Sequence, residues 1–188
     1  IRFCFFGGEE VGLRGSAAHL EALGAEAQTR MAAALHLDSV GFRSSEPGSQ
    51  GSPEDVPWFL SVPERGDFLL VAGNWSSGWV GNRFEAAIEA YAPELAYYSL
   101  NRIASWLEDA SRGDTANYWR AGLPSIVLSD TGEYRNATYH TPDDRADTVD
   151  YAFLQSVARA TAATALHLGE LHPETGRAHE GPRIVCVW

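Results

Sequence analysis

The sequence predicts an α/β fold, a sheet with helices on both faces, and three observations carry that prediction. Apolar, β-favouring runs alternate along the chain with segments of helical pattern, which is the order that builds a largely parallel sheet. The longest helical pattern, over residues 151–171, steps its apolar positions by three and four and so presents one buried stripe. Acidic and imidazole side chains fall at the ends of predicted strands or in the loops after them, where an open α/β sheet keeps its chemistry.

The elements follow in order. The run Ile1-Arg2-Phe3-Cys4-Phe5-Phe6 reads as a strand, broken by Gly7-Gly8. Glu9 and Glu10 follow at once, and Gly15-Ser16 leads into a helix over 17–23. Residues 32–40 form a second strand with Asp38 at its tip. From 42 to 66 the chain turns rich in Ser, Pro and Gly and reads as a long loop, a kind that is often functional in a compact domain. A strand over 67–72, a helix over 79–90 and a strand over 95–100 come next, while 103–109 is too short to classify. Trp119-Arg120-Ala121-Gly122-Leu123-Pro124 reads as a helix end with Gly at the stop, leading into a strand over 125–129. In the long helix, Leu154, Val157, Thr161, Thr164, Leu168 and Leu171 form the stripe, and Asp150 is the expected N-cap, with Val149 and Leu154 as a hydrophobic staple. Residues 172–183 read as a tail, and 184–188 pair as an edge strand or stay loose. The expected division is a domain over 1–171 and a C-terminal tail over 172–188.

The bulk numbers narrow the function classes. A chain of 188 residues with 45% hydrophobic residues suits one domain with a substantial core. Its formal charge of −11 argues against nucleic acid as a partner, since its 14 basic residues, all Arg, are scattered rather than clustered. No apolar stretch approaches the roughly 20 residues of a membrane span, and residues 1–30 lack the basic start and cleavage pattern of a signal peptide. Neither compartment nor oligomeric state is assigned. Cys4 and Cys186 show no metal-type spacing and no disulfide framework, and Cys4 is expected to be a buried, inert thiol.

Three groups are candidates for chemistry: Glu9 with Glu10, Asp38, and His140 within Tyr139-His140-Thr141-Pro142-Asp143-Asp144. Adjacent Glu residues are common on solvated helix starts, where they complement the macrodipole. Glycines on both sides of this pair point instead to a shaped loop. Carboxylate oxygens mixed with an imidazole suit Zn²⁺ in a catalytic site, since closed structural sites use Cys and His. One Glu then binds metal while the other handles a proton. His36 shares a strand face with Asp38 and is either a packed side chain or a substitute ligand. Trp58, Trp75, Trp79, Tyr97, Tyr98 and Trp106 are candidates to line an apolar pocket, with core packing the equal reading.

The segments Phe5-Phe6-Gly7-Gly8-Glu9-Glu10-Val11-Gly12-Leu13-Arg14-Gly15-Ser16, Leu37-Asp38-Ser39-Val40-Gly41, Trp119 to Pro124, and Tyr139 to Asp144 together resemble the di-zinc aminopeptidase superfamily, which also contains glutaminyl cyclases. The resemblance implies a zinc-exopeptidase-like fold and hydrolysis of N-terminal peptide bonds of peptides or proteins. It implies that Glu9 is the general base acting on a metal-bound water, and that Glu10 and His140 are ligands of one zinc and Asp38 of the other. Tyr139 would donate to the oxyanion. A non-catalytic binding module on the peptidase fold and a glutaminyl cyclase-like acyltransferase are the alternatives.

Two departures from the family pattern shape the expectation. A His ligand and a bridging Asp precede the Glu-Glu pair by a long stretch in the family. Here eight residues precede Glu9, and none is His or Asp. The expectation is therefore the C-terminal portion of the catalytic domain, without its N-terminal strands, holding zinc weakly and turning over little peptide. Relatives also commonly carry Ser-Asp-His before an aromatic residue where this chain has Gly113-Asp114-Thr115-Ala116-Asn117-Tyr118, so Thr115 stands in place of an outer-shell His.

Overall fold

The computed structural model describes residues 1–54, 56–170 and 184–187. Six strands form one mixed sheet: β1 (Arg2–Phe3), β2 (Met31–Asp38), β3 (Leu69–Gly73), β4 (Tyr97–Leu100), β5 (Ser125–Ser129) and β6 (Ile184–Val187), in the order β1-β6-β2-β5-β3-β4. The first four in that order, β1, β6, β2 and β5, run parallel to one another, and β3 meets β5 antiparallel. The carboxyl ends of β1, β2 and β5 therefore lie on the same rim.

Helices cover both faces, as the sequence predicts. On one face α2 (Gly78–Tyr91) and α4 (Tyr151–Glu170) pack together over Leu35, Val71 and Ile126 with Phe84, Ile88, Phe153 and Val157. On the other, α1 (Arg14–Thr29) and α3 (Thr115–Arg120) bring Leu20 and Tyr118 onto Ala34 and Cys186. The side-chain period of two along β2 separates these sets: Ala33 and Leu35 face α2 and α4, while Ala34, His36 and Asp38 face the opposite way. Among the described residues no helix is long and apolar enough to cross a membrane.

Several element boundaries follow their local signals. Asp150 caps α4 as expected, its Oδ1 accepting the Phe153 amide at 2.9 Å. Gly122, at φ +71°, ends α3 while the Leu123 amide reaches back to the Tyr118 carbonyl. Residues 103–109, which the sequence left unclassified, contain the short 3₁₀ turn Ala104–Trp106 and the start of another, Asp109–Ser111.

Three expectations are corrected. Among the described residues the first strand pairs only over Arg2–Phe3, with β6; Cys4 makes one further bond, to the Val187 carbonyl, and Phe5 lies 95% exposed. Helix α1 extends well beyond 17–23, and Gly24, at φ 66°, kinks it. Residues 184–187 are neither an edge strand nor loose: β6 lies between β1 and β2 with Val185 and Cys186 fully buried. The remainder of the expected tail, 172–183 and Trp188, lies outside the described residues.

Candidate functional site

A cavity of about 440 Å³ opens on the α1/α3 side of the sheet. Its inner wall is apolar, made by Leu70, Ala72, Leu100 and Val127 from the strands with Leu60 and Leu107 from the segments above them. Its mouth carries Glu9, Glu10, Asp38, Glu133 and Tyr139. Of the aromatic residues proposed to line a pocket, Tyr98 lines this cavity, and Trp75 borders a separate cleft. Trp58, Trp75 and Trp106 are exposed instead, and Trp79 and Tyr97 lie outside the lining.

The loop bearing the two glutamates is shaped by its glycines. Gly8 and Gly12 hold φ +72° and +102°, and the Glu9 carbonyl accepts the amides of Gly12 and Leu13 at 3.1 and 2.9 Å. Gly15, at the start of α1, lets the loop lie directly on the helix, since a Cβ there would stand 2.6 Å from the Gly7 carbonyl oxygen. Ser16, one residue on, donates to Asp114 and accepts from Asn117 Nδ2 at 2.8 Å, which ties the helix start to α3.

Asp38 sits at the carboxyl end of β2, where Ser39 turns the chain at φ 53°. Burial drives its carboxyl group upward from the ordinary aspartate range, with Glu10 and Asp114 adding repulsion and Ser39 and Arg112 opposing it. Glu9 is pushed upward too, first by burial, then by Asp38, Glu10 and Asp114. His36 is buried beside Asp38, 2.8 Å from the Thr115 hydroxyl, and burial lowers it to about 4, so it is neutral. Thr115 thus supports a histidine, although not one the sequence placed among the principal ligands.

Glu10 and His140 meet: Oε1 and Nε2 are 2.8 Å apart. His140 holds φ 57° and stacks on Tyr139, with ring centroids 3.9 Å apart. All five residues singled out by sequence therefore gather at one rim, four lining the cavity mouth and His140 joined to it through Glu10. They do not form a closed cage. Among the described residues, the one group of three His, Cys, Asp or Glu donors whose ligand atoms converge within 4.8 Å is Cys4, His19 and Cys186.

By donor chemistry the rim fits a divalent cation. It offers carboxylate oxygens and an imidazole nitrogen, and it concentrates negative charge that Arg112 offsets in part, itself bound to Glu133 at 2.6 Å. Glu10 with His140 would hold one ion, and Asp38 stands as a single further donor.

Sequence reasoning missed the residues that hold the walls. Asp130, just past β5, is buried and accepts the amides of Gly41, Phe42 and Gly132 at 2.9, 2.7 and 3.0 Å, pinning the exits of β2 and β5 together. Arg135 donates to Gln50 at 2.9 Å and to the Phe68 carbonyl at 2.8 Å, with its guanidinium 4.4 Å from the Phe68 ring centroid. These bonds hold the 42–66 segment against the cavity. An Asp directly after a predicted strand end was the available signal for the first; the second had none, since Gln50 and Phe68 are remote in sequence from Arg135.

The family model for peptidase family M28 matches residues 1–165. The chain belongs to peptidase family M28. The M28 chain is 33% identical over 153 residues to the Escherichia coli K12 protein YfbL, an alignment covering 81% of this chain and 44% of YfbL. Its fold matches the LapA aminopeptidase of Legionella pneumophila at a TM-score of 0.64 and 17% identity, covering 89% of this chain and 39% of LapA. It likewise matches the zinc aminopeptidase BSAP of Bacillus subtilis at a TM-score of 0.58 and 24% identity, covering 86% of this chain and 34% of BSAP. The chain thus spans less than half the length of these relatives.

Proposed function

We propose that this M28 chain carries part of a metallo-aminopeptidase site that hydrolyses N-terminal peptide bonds. The observation that carries the reading is the meeting of Glu10 and His140 at 2.8 Å on the rim where Glu9, Asp38 and Tyr139 border an apolar cavity. Zinc, when bound, would lower the pKa of a water and polarise the scissile carbonyl. Glu10 and His140 would hold one ion and Asp38 would contribute to a second. Glu9 takes a proton from the attacking water and returns it to the leaving amine. The Tyr139 hydroxyl, kept protonated by burial and by the nearby Asp38 and Glu10 charges, donates to the developing oxyanion. The apolar wall receives the side chain of the substrate's first residue, and the acidic mouth faces its ammonium group.

The full-length gene product carrying this sequence tests the reading on a series of aminoacyl p-nitroanilides. Expected is hydrolysis abolished by a chelator and lowered about 10²–10⁴-fold by Glu9→Gln with zinc content unchanged. Chelator-insensitive turnover, or a fully active Glu9→Gln variant, overturns it. Conversion of an N-terminal Gln peptide to its cyclised product, without release of an amino acid, would favour the acyltransferase instead. For the 188-residue chain alone, weak zinc retention at this rim and negligible turnover are expected, because Glu10, His140 and Asp38 do not converge as three donors.

A further inference from the structure

Away from the cavity, the two ends of the described chain and the middle of α1 bring three soft or borderline donors together. Cys4 follows β1, Cys186 lies in β6, and His19 projects from α1; Sγ of each cysteine and a ring nitrogen of the histidine all lie within 4.8 Å of one another. None of the three lines the cavity. Cys186 is fully buried, Cys4 nearly so, and both thiols are free.

The histidine is held in the orientation a ligand needs. Its Nδ1 lies 2.8 Å from the Tyr118 hydroxyl, and its Nε2 lies 3.3 Å from Arg2 Nη1. A guanidinium only donates, so Nε2 is the acceptor and the ring proton sits on Nδ1, directed at Tyr118. Fixing one ring nitrogen by a hydrogen bond while the other offers its lone pair is the usual arrangement of a metal-binding imidazole.

The spacing admits coordination as well as hydrogen bonding. Cys4 Sγ and His19 Nε2 are 3.8 Å apart, at the long end of a thiol hydrogen bond. Ligand bonds of about 2.3 Å to sulfur and about 2.0–2.1 Å to nitrogen, at a tetrahedral angle, place S and N about 3.6 Å apart. Two thiolates and one imidazole form a donor set of the kind that selects thiophilic ions, and three protein donors leave a fourth position for water.

We propose that Cys4, His19 and Cys186 form a second metal site, selective for a thiophilic divalent cation of the Zn²⁺ class and chemically distinct from the oxygen-rich rim at Glu10 and His140. Binding replaces the two thiol protons, released to solvent, by two metal–sulfur bonds, and the ion displaces Arg2 from Nε2. Its effect is structural: one ion joins the two-residue edge strand β1 to β6 and α1.

The reduced, metal-stripped chain titrated with Co²⁺ and, separately, Cd²⁺ tests this. The chain contains two cysteines, so a thiolate-to-metal charge-transfer band can come only from Cys4 and Cys186. Expected is one such band saturating at one equivalent, lost in Cys4→Ser and in Cys186→Ala, weakened at least ten-fold in affinity by His19→Gln, and retained in Glu10→Gln. Should the cysteine variants fail to fold, the unmodified chain still decides: Zn²⁺ should slow alkylation of both thiols at least ten-fold, reversibly with chelator. No charge-transfer band, a band surviving removal of either cysteine, or thiols whose alkylation ignores Zn²⁺ overturns the proposal. So does a chain that closes a Cys4–Cys186 disulfide in air and takes up no thiophilic ion when reduced.

Discussion

Gly15→Ala should loosen the loop that carries Glu9 and Glu10, and the structure fixes both the sign and the size. Gly15 lies in the first turn of α1, where alanine is by itself the better helix former, by roughly 0.5–1 kcal/mol. The added Cβ, however, would stand 2.6 Å from the Gly7 carbonyl oxygen, 2.8 Å from Phe6 Cβ and 2.9 Å from the Gly7 amide nitrogen. None of these atoms is the end of a flexible side chain, so relief requires moving the backbone of the 6–8 segment. Overpacking of this kind costs about 2–3 kcal/mol, which outweighs the propensity gain and leaves a net loss of about 1–2 kcal/mol. At this chain length that corresponds to a fall in Tm of roughly 3–6 °C. Gly7→Ala is the internal control, because a Cβ at Gly7 meets nothing within 4 Å. Urea and thermal unfolding of both variants read the difference. A Gly15→Ala protein as stable as its parent, or more stable, would show that propensity wins and that the close approach of loop and helix is not what holds the two glutamates in place.

Other perturbations have equally definite expectations. Asp150→Ala removes the Phe153 cap and the 2.5 Å contact with Arg43, and should cost about 1 kcal/mol in urea unfolding at neutral pH. Since the Phe153 amide first, and Arg43 after it, hold the Asp150 carboxyl below its ordinary range, this contribution is present above the unfolded aspartate pKa of about 3.9 and is lost as pH falls through the lower folded value. Parent and variant should then converge in stability below that range; a gap that widens in acid would refute the cap. Asp130→Ala leaves three loop amides without their carboxylate and should lower stability by at least about 2 kcal/mol, with faster proteolytic cleavage between residues 42 and 66. Phe153→Ala opens a hole between α2 and α4 and should cost about 3–5 kcal/mol by the same unfolding assay.

What the sequence made legible was local. The strand over 125–129, the cap of α4 and the buried positions Val157, Thr161, Thr164 and Leu168 of its stripe are found where the pattern places them, with Leu154 half-buried and Leu171 outside the described residues. Glu9, Glu10, Asp38, Tyr139 and His140 were legible as a set through family resemblance, and parallel β1, β2 and β5 explain why such distant segments share a rim. The extent of β1 was not, because a strand's length depends on the partner it pairs with, here β6, and not on its own β-favouring composition alone. The interior position of β6 is carried by Ile184-Val185-Cys186-Val187, apolar without alternation, as expected of a strand covered on both faces. Exposed Trp58 and Trp106 pack edge-to-face on Phe59 in the outer loops, an arrangement that composition alone does not separate from a pocket lining. Cys4 and Cys186 stand at opposite ends of the chain, so no spacing rule relates them; β1 and β6 must pair before they meet.

The two donor sets also decide how metal removal should be read. The rim at Glu10 and His140 offers hard oxygen and imidazole donors at an exposed position, whereas Cys4, His19 and Cys186 offer two thiols and an imidazole at a largely buried one. An ion at the first would lie beside the proposed reacting groups, and an ion at the second would bear on the attachment of β1, from which the chain runs only a few residues to Glu9. A chelator that abolishes hydrolysis therefore does not by itself assign zinc to the rim, since freeing β1 would displace the same glutamate loop. Cys4→Ser separates the two. If the thiolate site acts only through the fold, this variant should lower Tm in the presence of zinc while hydrolysis measured well below that Tm keeps its dependence on Glu9 and on chelator. A Cys4→Ser protein whose Tm no longer responds to zinc but whose turnover is also gone at low temperature would place the loop's position, rather than stability alone, under the control of the second site.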